Sequence, residues 1–172
     1  MKSEKTKKII FGILLLVVVF ILDRITKIII LNIAEETGKV DIYVNSFLNL
    51  YLVWNKGIGF GLLSFDQEYV YDAVTYIILI INLIIVYLII SEKGYRSYFL
   101  LVILGGSSSN LFDRLYFNAV PDFIDLNYNG FHWFIFNVAD IFITIGIICL
   151  IIAELVVYKK VKWIKLITGS LL

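Results

Sequence analysis

The chain has 172 residues, 60% of them hydrophobic and 17% charged, with a mean hydropathy of +0.92. These values exclude an ordinary soluble globular domain and indicate a polytopic membrane protein. The formal net charge is +1, and a single cysteine (Cys149) and a single histidine (His132) exclude an intramolecular disulfide and a zinc site of the usual kind, so neither metal-dependent nor cysteine-protease chemistry is expected.

In chain order, Lys2, Lys5, Lys7 and Lys8 precede an apolar run interrupted by Asp23, Arg24 and Lys27. No small-x-small cleavage site follows it, so it reads as a retained first span over residues 9–31, about 34 Å long at the helical rise. From Val40 to Asn55 apolar and polar residues alternate, which predicts strand, and the glycine-rich NKGIGFG adds a turn. Residues 40–63 are therefore expected to form a small sheet at the membrane surface. Ser64 and Gln67 suggest a capping box leading into a second span, 73–90, with Asn82 placed for an interhelical hydrogen bond.

The third span, 97–113, is strongly apolar only over Tyr98–Leu104; Gly105, Gly106, Ser107, Ser108, Ser109 and Asn110 follow. Small residues of this kind suit a helix packed against protein rather than lipid. A polar connection ending in the interfacial aromatics FHWFIF leads to a fourth span, 134–157, and a Lys-rich tail. The fold class expected is thus membrane α-helical: four transmembrane helices and a small extracytoplasmic β-sheet, in one domain over 1–172. The two ends and the SEKGYRS loop hold ten of the fifteen Lys and Arg, which makes both termini cytoplasmic.

Charged carboxylates at membrane depth mark functional sites. By helical rise Asp23, Asp113 and Asp140 all fall in the outer part of the bilayer, about 20–30 Å from its inner surface. Gly106, Ser109, Asn110 and Asp113 share one helical face, as do Asn137, Asp140 and Thr144. Two carboxylates brought together in a low dielectric share a proton, and the ionised one can take a proton from water attacking a peptide carbonyl. Arg114 beside them suits an anionic headgroup or a peptide carbonyl.

These residues alone leave a protease and an ion pathway equally open. The alternatives are a proton-coupled membrane carrier using Asp23, Asp113 and Asp140, a Ser-Lys dyad drawn from Ser107–Ser109 and Lys27, and a non-catalytic assembly factor. Asp23 and Lys27, four residues apart, can simply neutralise each other. Asp66, Glu68, Asp72 and Asp125 read as solvated, His132 as an interface anchor, and Glu154 as reaching toward the inner surface.

The chain resembles the lipoprotein signal peptidase (signal peptidase II) family, over nearly its whole length. Asp23, Thr26 and Lys27 resemble its first-span motif, with Arg24 where glutamine is usual. Asn55, Gly57 and Phe60 match its Asn-x-Gly…Phe motif. Residues 105–114 match Gly-Gly-Ala-x-Gly-Asn-x-x-Asp-Arg, with Ser107 and Ser109 departing from it. Val120, Asp122 and Phe123 resemble its Val-x-Asp-Phe segment, and Phe136, Asn137, Ala139 and Asp140 its last motif. The resemblance implies a bacterial cytoplasmic-membrane aspartic endopeptidase. It would remove signal peptides from diacylglyceryl-modified prolipoproteins before the lipidated cysteine, at a site toward the extracytoplasmic face. It implies Asp113 and Asp140 as the catalytic pair, supported by Asp23, Lys27, Asn55, Gly57, Asn110, Arg114, Asp122 and Asn137. It implies no cofactor or metal, no nucleic-acid partner, a monomer, and as partners the lipidated substrate and the phospholipid bilayer.

Overall fold

The computed structural model describes residues 2–57, 68–92, 94–128 and 131–168. Four long helices, α1 (Lys2–Thr37), α2 (Glu68–Ser91), α3 (Arg96–Phe117) and α4 (Val138–Thr168), carry a sheet of four strands, β1 (Asp41–Asn45), β2 (Leu48–Asn55), β3 (Val120–Tyr128) and β4 (Phe131–Phe136). Phe60, the Ser64–Gln67 cap and the side chains of the C-terminal lysines lie outside the described residues.

Among the described residues three stretches are long and apolar enough to cross a membrane: Thr6–Thr37, Tyr69–Ser91 and Val138–Val157. Ile9, Leu14 and Ile28 on α1, Leu83 on α2 and Ile151 on α4 are all exposed, as side chains facing lipid would be. α3 falls outside that class because its middle is Gly, Ser and Asn. It is the helix against which α1, α2 and α4 all pack, so protein covers those small polar residues.

The glycines explain how closely. A Cβ on Gly105 would stand 2.9 Å from the Leu16 carbonyl oxygen and 3.0 Å from the Val19 Cβ. One on Gly106 would stand 2.7 Å from the Ala139 carbonyl oxygen. Backbone meets backbone on two sides of α3, which only glycine permits. The Ser107 hydroxyl donates to Asn82 Oδ1 at 2.6 Å, the interhelical bond expected of Asn82. Near the other end of α3, Arg96 pairs with Glu154 of α4 at 3.0 Å.

The sheet runs β1-β2-β3-β4, antiparallel throughout. Ile30 near the end of α1 packs with Val40 and Phe123, and Ile33, Leu50 and Val138 close around them. This apolar knot seats the sheet on the ends of α1 and α4. Asn118, left-handed at φ 54°, ends α3 and turns the chain directly into β3, a conformation asparagine tolerates better than most residues.

The sheet is larger than the expected 40–63. The connection after α3 is strand, and residues 131–136 form β4, so α4 begins at Val138 instead of 134. β3 is buried on both faces over its first four residues, so its sequence shows no alternation to announce a strand. The aromatics of β4 read equally well as an interfacial helix end.

Gly106→Ala should lower stability by about 1–3 kcal/mol, the range for overpacking, because the obstacle is backbone. Thermal unfolding in detergent, with Ser108→Ala as the control, measures this; equal midpoints would deny the close approach of α3 to α4.

Candidate active site

Two groups of carboxylates lie where the helices meet the sheet, and their partners separate them. The first group is salted. Asp23 and Lys27, one turn apart on α1, are fully buried and pair at 2.7 Å. Asp23 also accepts the Ser109 hydroxyl at 2.7 Å and the Ala139 N–H at 2.8 Å, which ties α1 to α3 and to the start of α4. Lys27 reaches on to Asp113 Oδ2 at 2.6 Å and to Asn110 Oδ1 at 2.8 Å. The other Asp113 oxygen takes the Arg24 guanidinium, which lies over the Phe112 ring at 4.9 Å. Two acids and two bases thus balance.

The second group pairs with no cation among the described residues. Asp122, on β3, accepts the Asn55 side-chain amide at 2.8 Å and that of Asn137 at 2.6 Å. Asp140, in the first turn of α4, accepts the Asn110 amide at 2.9 Å and the Asn137 backbone N–H at 3.1 Å. Asn137 Oδ1 in turn accepts the Asp140 N–H at 3.1 Å. Asn137 and Asp140 therefore close a reciprocal box at the helix N-terminus, three residues apart, with aspartate in the place glutamate usually takes. The same Asn137 touches both carboxylates and fixes their spacing.

Burial raises the Asp122 carboxyl from its ordinary value of 3.8 to about 7, and the charge of Asp140 adds to the effect. A carboxyl with that environment keeps a proton near neutrality. Asp122 and Asp140 both line a cleft of about 220 Å³. Ile78 of α2 and Ile143 of α4 provide apolar wall, and Asn55, Asn110, Arg114 and Asn137 line the polar end. Arg114 gives Nη2 to the Gly57 carbonyl, and the Asn55 side chain holds Gly57 through its N–H at 2.7 Å. Its Nε and Nη1 are buried without a partner among the described residues. The Arg114 guanidinium also lies over the Tyr71 ring, 5.2 Å from its centroid.

The residues singled out from sequence converge here, but in a different grouping. Asp113 does not line the cleft; its two oxygens belong to Lys27 and Arg24, and Lys27 and Asn110 stand between it and Asp140. The carboxylate beside Asp140 is Asp122. Nor does each asparagine serve the aspartate one turn along its own helix. Asn110 bonds Asp140 instead of Asp113, and Asn137 bridges Asp140 and Asp122. Arg24 had no assigned part. Asp125, expected to be solvated, is 3% exposed and bonds the His132 ring at 2.8 Å, because its segment is a central strand with Asn49 and His132 as cross-strand neighbours.

Two of the three serines are engaged away from Lys27: the Ser109 hydroxyl donates to Asp23 and that of Ser107 to Asn82. A larger cavity of about 850 Å³ lies among the start of α1, the end of α2 and the start of α3. Its acids, Glu4 and Glu92, are engaged by Lys7 and by the Gly94 N–H, so it brings no carboxylates face to face. Among the described residues no cluster of three or more His, Cys, Asp or Glu has metal-binding geometry.

Comparison with known proteins places this arrangement. The model of the family described as signal peptidase (SPase) II matches residues 15–156. A lipoprotein signal peptidase of Pelagibacter ubique (strain HTCC1062) is 48% identical over 160 residues, which cover 93% of this chain and 96% of that protein. One from Anaplasma phagocytophilum (strain HZ) is 43% identical over 152 residues, 87% and 94% of the two chains. A bacterial membrane enzyme solved at 2.3 Å resolution superposes with a TM-score of 0.68 at 33% identity, covering 84% of this chain and 87% of its own.

A carboxyl raised from 3.8 to about 7 favours folding when protonated, so its contribution is complete below the unfolded value and is lost as pH rises toward and through about 7. Unfolding midpoints of the wild-type chain should fall over that window, and Asp122→Asn should remove most of the slope. An unchanged slope would contradict the burial and repulsion assigned to Asp122. Lys27→Met leaves a buried acid uncompensated and should cost about 3–5 kcal/mol in the same measurement.

Proposed function

Because this chain belongs to the signal peptidase II family, whose members are aspartic-type signal peptidases, we propose that it cleaves lipid-modified prolipoproteins with Asp122 and Asp140 as the catalytic pair. The observation that carries this assignment is the division of partners: Asp23 and Asp113 are held by cations, whereas Asp122 and Asp140 face a cleft and are held only by amides. A permanently salted carboxylate cannot exchange protons during a reaction cycle. An amide-held one can.

Asp140 acts as the base. It lies in the first turn of α4, where the helix dipole favours negative charge, and Asn110 relays to it the field of Lys27. Asp122 acts as the acid, its proton retained near neutrality. A water between them attacks the scissile carbonyl carbon; Asp140 takes the proton of that water as Asp122 gives its own to the carbonyl oxygen. In the tetrahedral intermediate the C–N bond then breaks. The proton on Asp140 passes to the leaving amine, Asp122 recovers one from a hydroxyl, and the carbonyl re-forms. Arg114, which lines the polar end of the cleft, holds a substrate carbonyl and aligns the peptide.

The multi-pass chain lies in the bacterial cytoplasmic membrane with its sheet and cleft toward the extracytoplasmic side, consistent with the lysines at both ends and in the α2–α3 loop. The diacylglyceryl chains of the substrate lie along the apolar wall of Ile78 and Ile143, with the peptide bond at the polar end. The cut falls before the lipidated cysteine. α3 crosses with the other three helices, and the chain works as a monomer without a cofactor. A proton-coupled carrier fits less well, because Asp23 and Asp113 are neutralised in place.

The test uses the purified chain in detergent with a diacylglyceryl-modified signal-peptide substrate. Asp122→Asn and Asp140→Asn should each lower cleavage at least about a hundredfold, the scale of a lost general acid or base, with thermal stability retained at neutral pH. Asp113→Asn should instead lower the unfolding midpoint. Full cleavage by folded Asp122→Asn would overturn the pairing.

A further inference from the structure

We propose that Arg24 is a positioning residue of this site: it takes the Asp113 oxygen that Lys27 leaves open, balances the buried charge, and so keeps Lys27 on Asn110 and Asn110 on Asp140. The proposal rests on the pairing of Asp122 with Asp140 for its catalytic consequence, but not for its electrostatic one.

The charges facing this region are few. α1 brings Asp23, Arg24 and Lys27; α3 brings Asp113 and Arg114; β3 brings Asp122, α4 brings Asp140, and α2 brings the Tyr71 phenol, against the Arg114 guanidinium at 5.2 Å. Lys27 has three acceptors: Asp23 at 2.7 Å, Asp113 at 2.6 Å and Asn110 at 2.8 Å. An ammonium has three hydrogens, so each bond uses one and none is spare. Yet its single charge faces two buried aspartates.

Arg24 supplies the second charge. The guanidinium sits on the Phe112 ring, with its side chain 13% exposed, and bonds Asp113 Oδ1. A planar, delocalised cation is suited to that half-dry position. Without it, Asp113 Oδ1 loses its donor and the cluster carries one net negative charge. The protein then relieves that charge in one of two ways. Asp113 takes up a proton, or Lys27 shifts toward Asp113 and slackens its hold on Asn110. Either change reaches Asp140, because Asn110 Nδ2 donates to it at 2.9 Å. Arg24 touches neither the cleft nor the reacting atoms, so its influence travels along Asp113, Lys27 and Asn110.

The experiment compares the full chain in detergent with Arg24→Gln, Arg24→Lys and the double variant Arg24→Gln/Asp113→Asn. Arg24→Gln should lower the unfolding midpoint by on the order of 5–10 °C at neutral pH. Arg24→Lys keeps the charge and should stay close to wild type. The double variant restores the balance and should recover most of the loss. In cleavage, Arg24→Gln should lose about tenfold to a hundredfold in kcat with KM within about twofold, and Arg24→Lys should regain it. A double variant no better than the single one overturns the charge balance. Unchanged kcat in Arg24→Gln overturns the positioning role. If the wild-type chain cleaves nothing, the peptidase reading falls, and the unfolding series still decides whether Arg24 balances the cluster.

Discussion

The structure depends on the neutralisation of buried charge at one level of the helix bundle. Asp23 and Lys27 sit on one turn of α1, and every further bond that their side chains make among the described residues leaves that helix: to Ser109, Asn110 and Asp113 on α3 and to the backbone of Ala139 on α4. Taking four charged side chains out of water is costly, and their mutual attraction offsets the cost only when each atom finds a partner. Here they do. The cluster acts less as a source of stability than as a register pin, since sliding any one of three helices would strand a charge.

That pin has a second consequence. Because Asp23 and Asp113 are consumed by cations, the remaining two carboxylates are chemically distinct from them although all four lie close together. Asp122 and Asp140 are oriented by Asn55, Asn110 and Asn137, whose amides donate hydrogen bonds without bringing full charge. Such partners fix geometry while leaving the proton free to move. One region therefore contains an ionic clamp and a pair of amide-held acids, joined through Lys27 and Asn110.

The sheet completes the site by lending it one residue. Asp122 belongs to β3, while Asp140 belongs to a helix, and the apolar knot of Ile30, Val40 and Phe123 holds the two elements in place. Arg114 is drawn in by the Asn55–Gly57 turn at the end of β2. Helices alone would have given a pocket with a single free acid.

Much of this was legible in the residues. Apolar runs marked the outer helices, the glycine-serine run of α3 marked a helix buried among others, and acids in apolar surroundings marked the site, because lipid tolerates neither a polar backbone nor an unpaired charge. The β1–β2 alternation predicted strand, and the motif order identified the family. The strands β3 and β4 were not legible: burial on both faces erases the alternation in the first half of β3, and the exposed aromatics of β4 read equally well as an interfacial helix end. Nor was the pairing of the acids. Asp113 and Asp140 looked alike from helical depth, and Asp122 looked like a loop residue. Which carboxylate meets a cation and which meets an amide depends on contacts between residues as much as 116 positions apart, such as Ala139 with Asp23, and only the packed chain decides them.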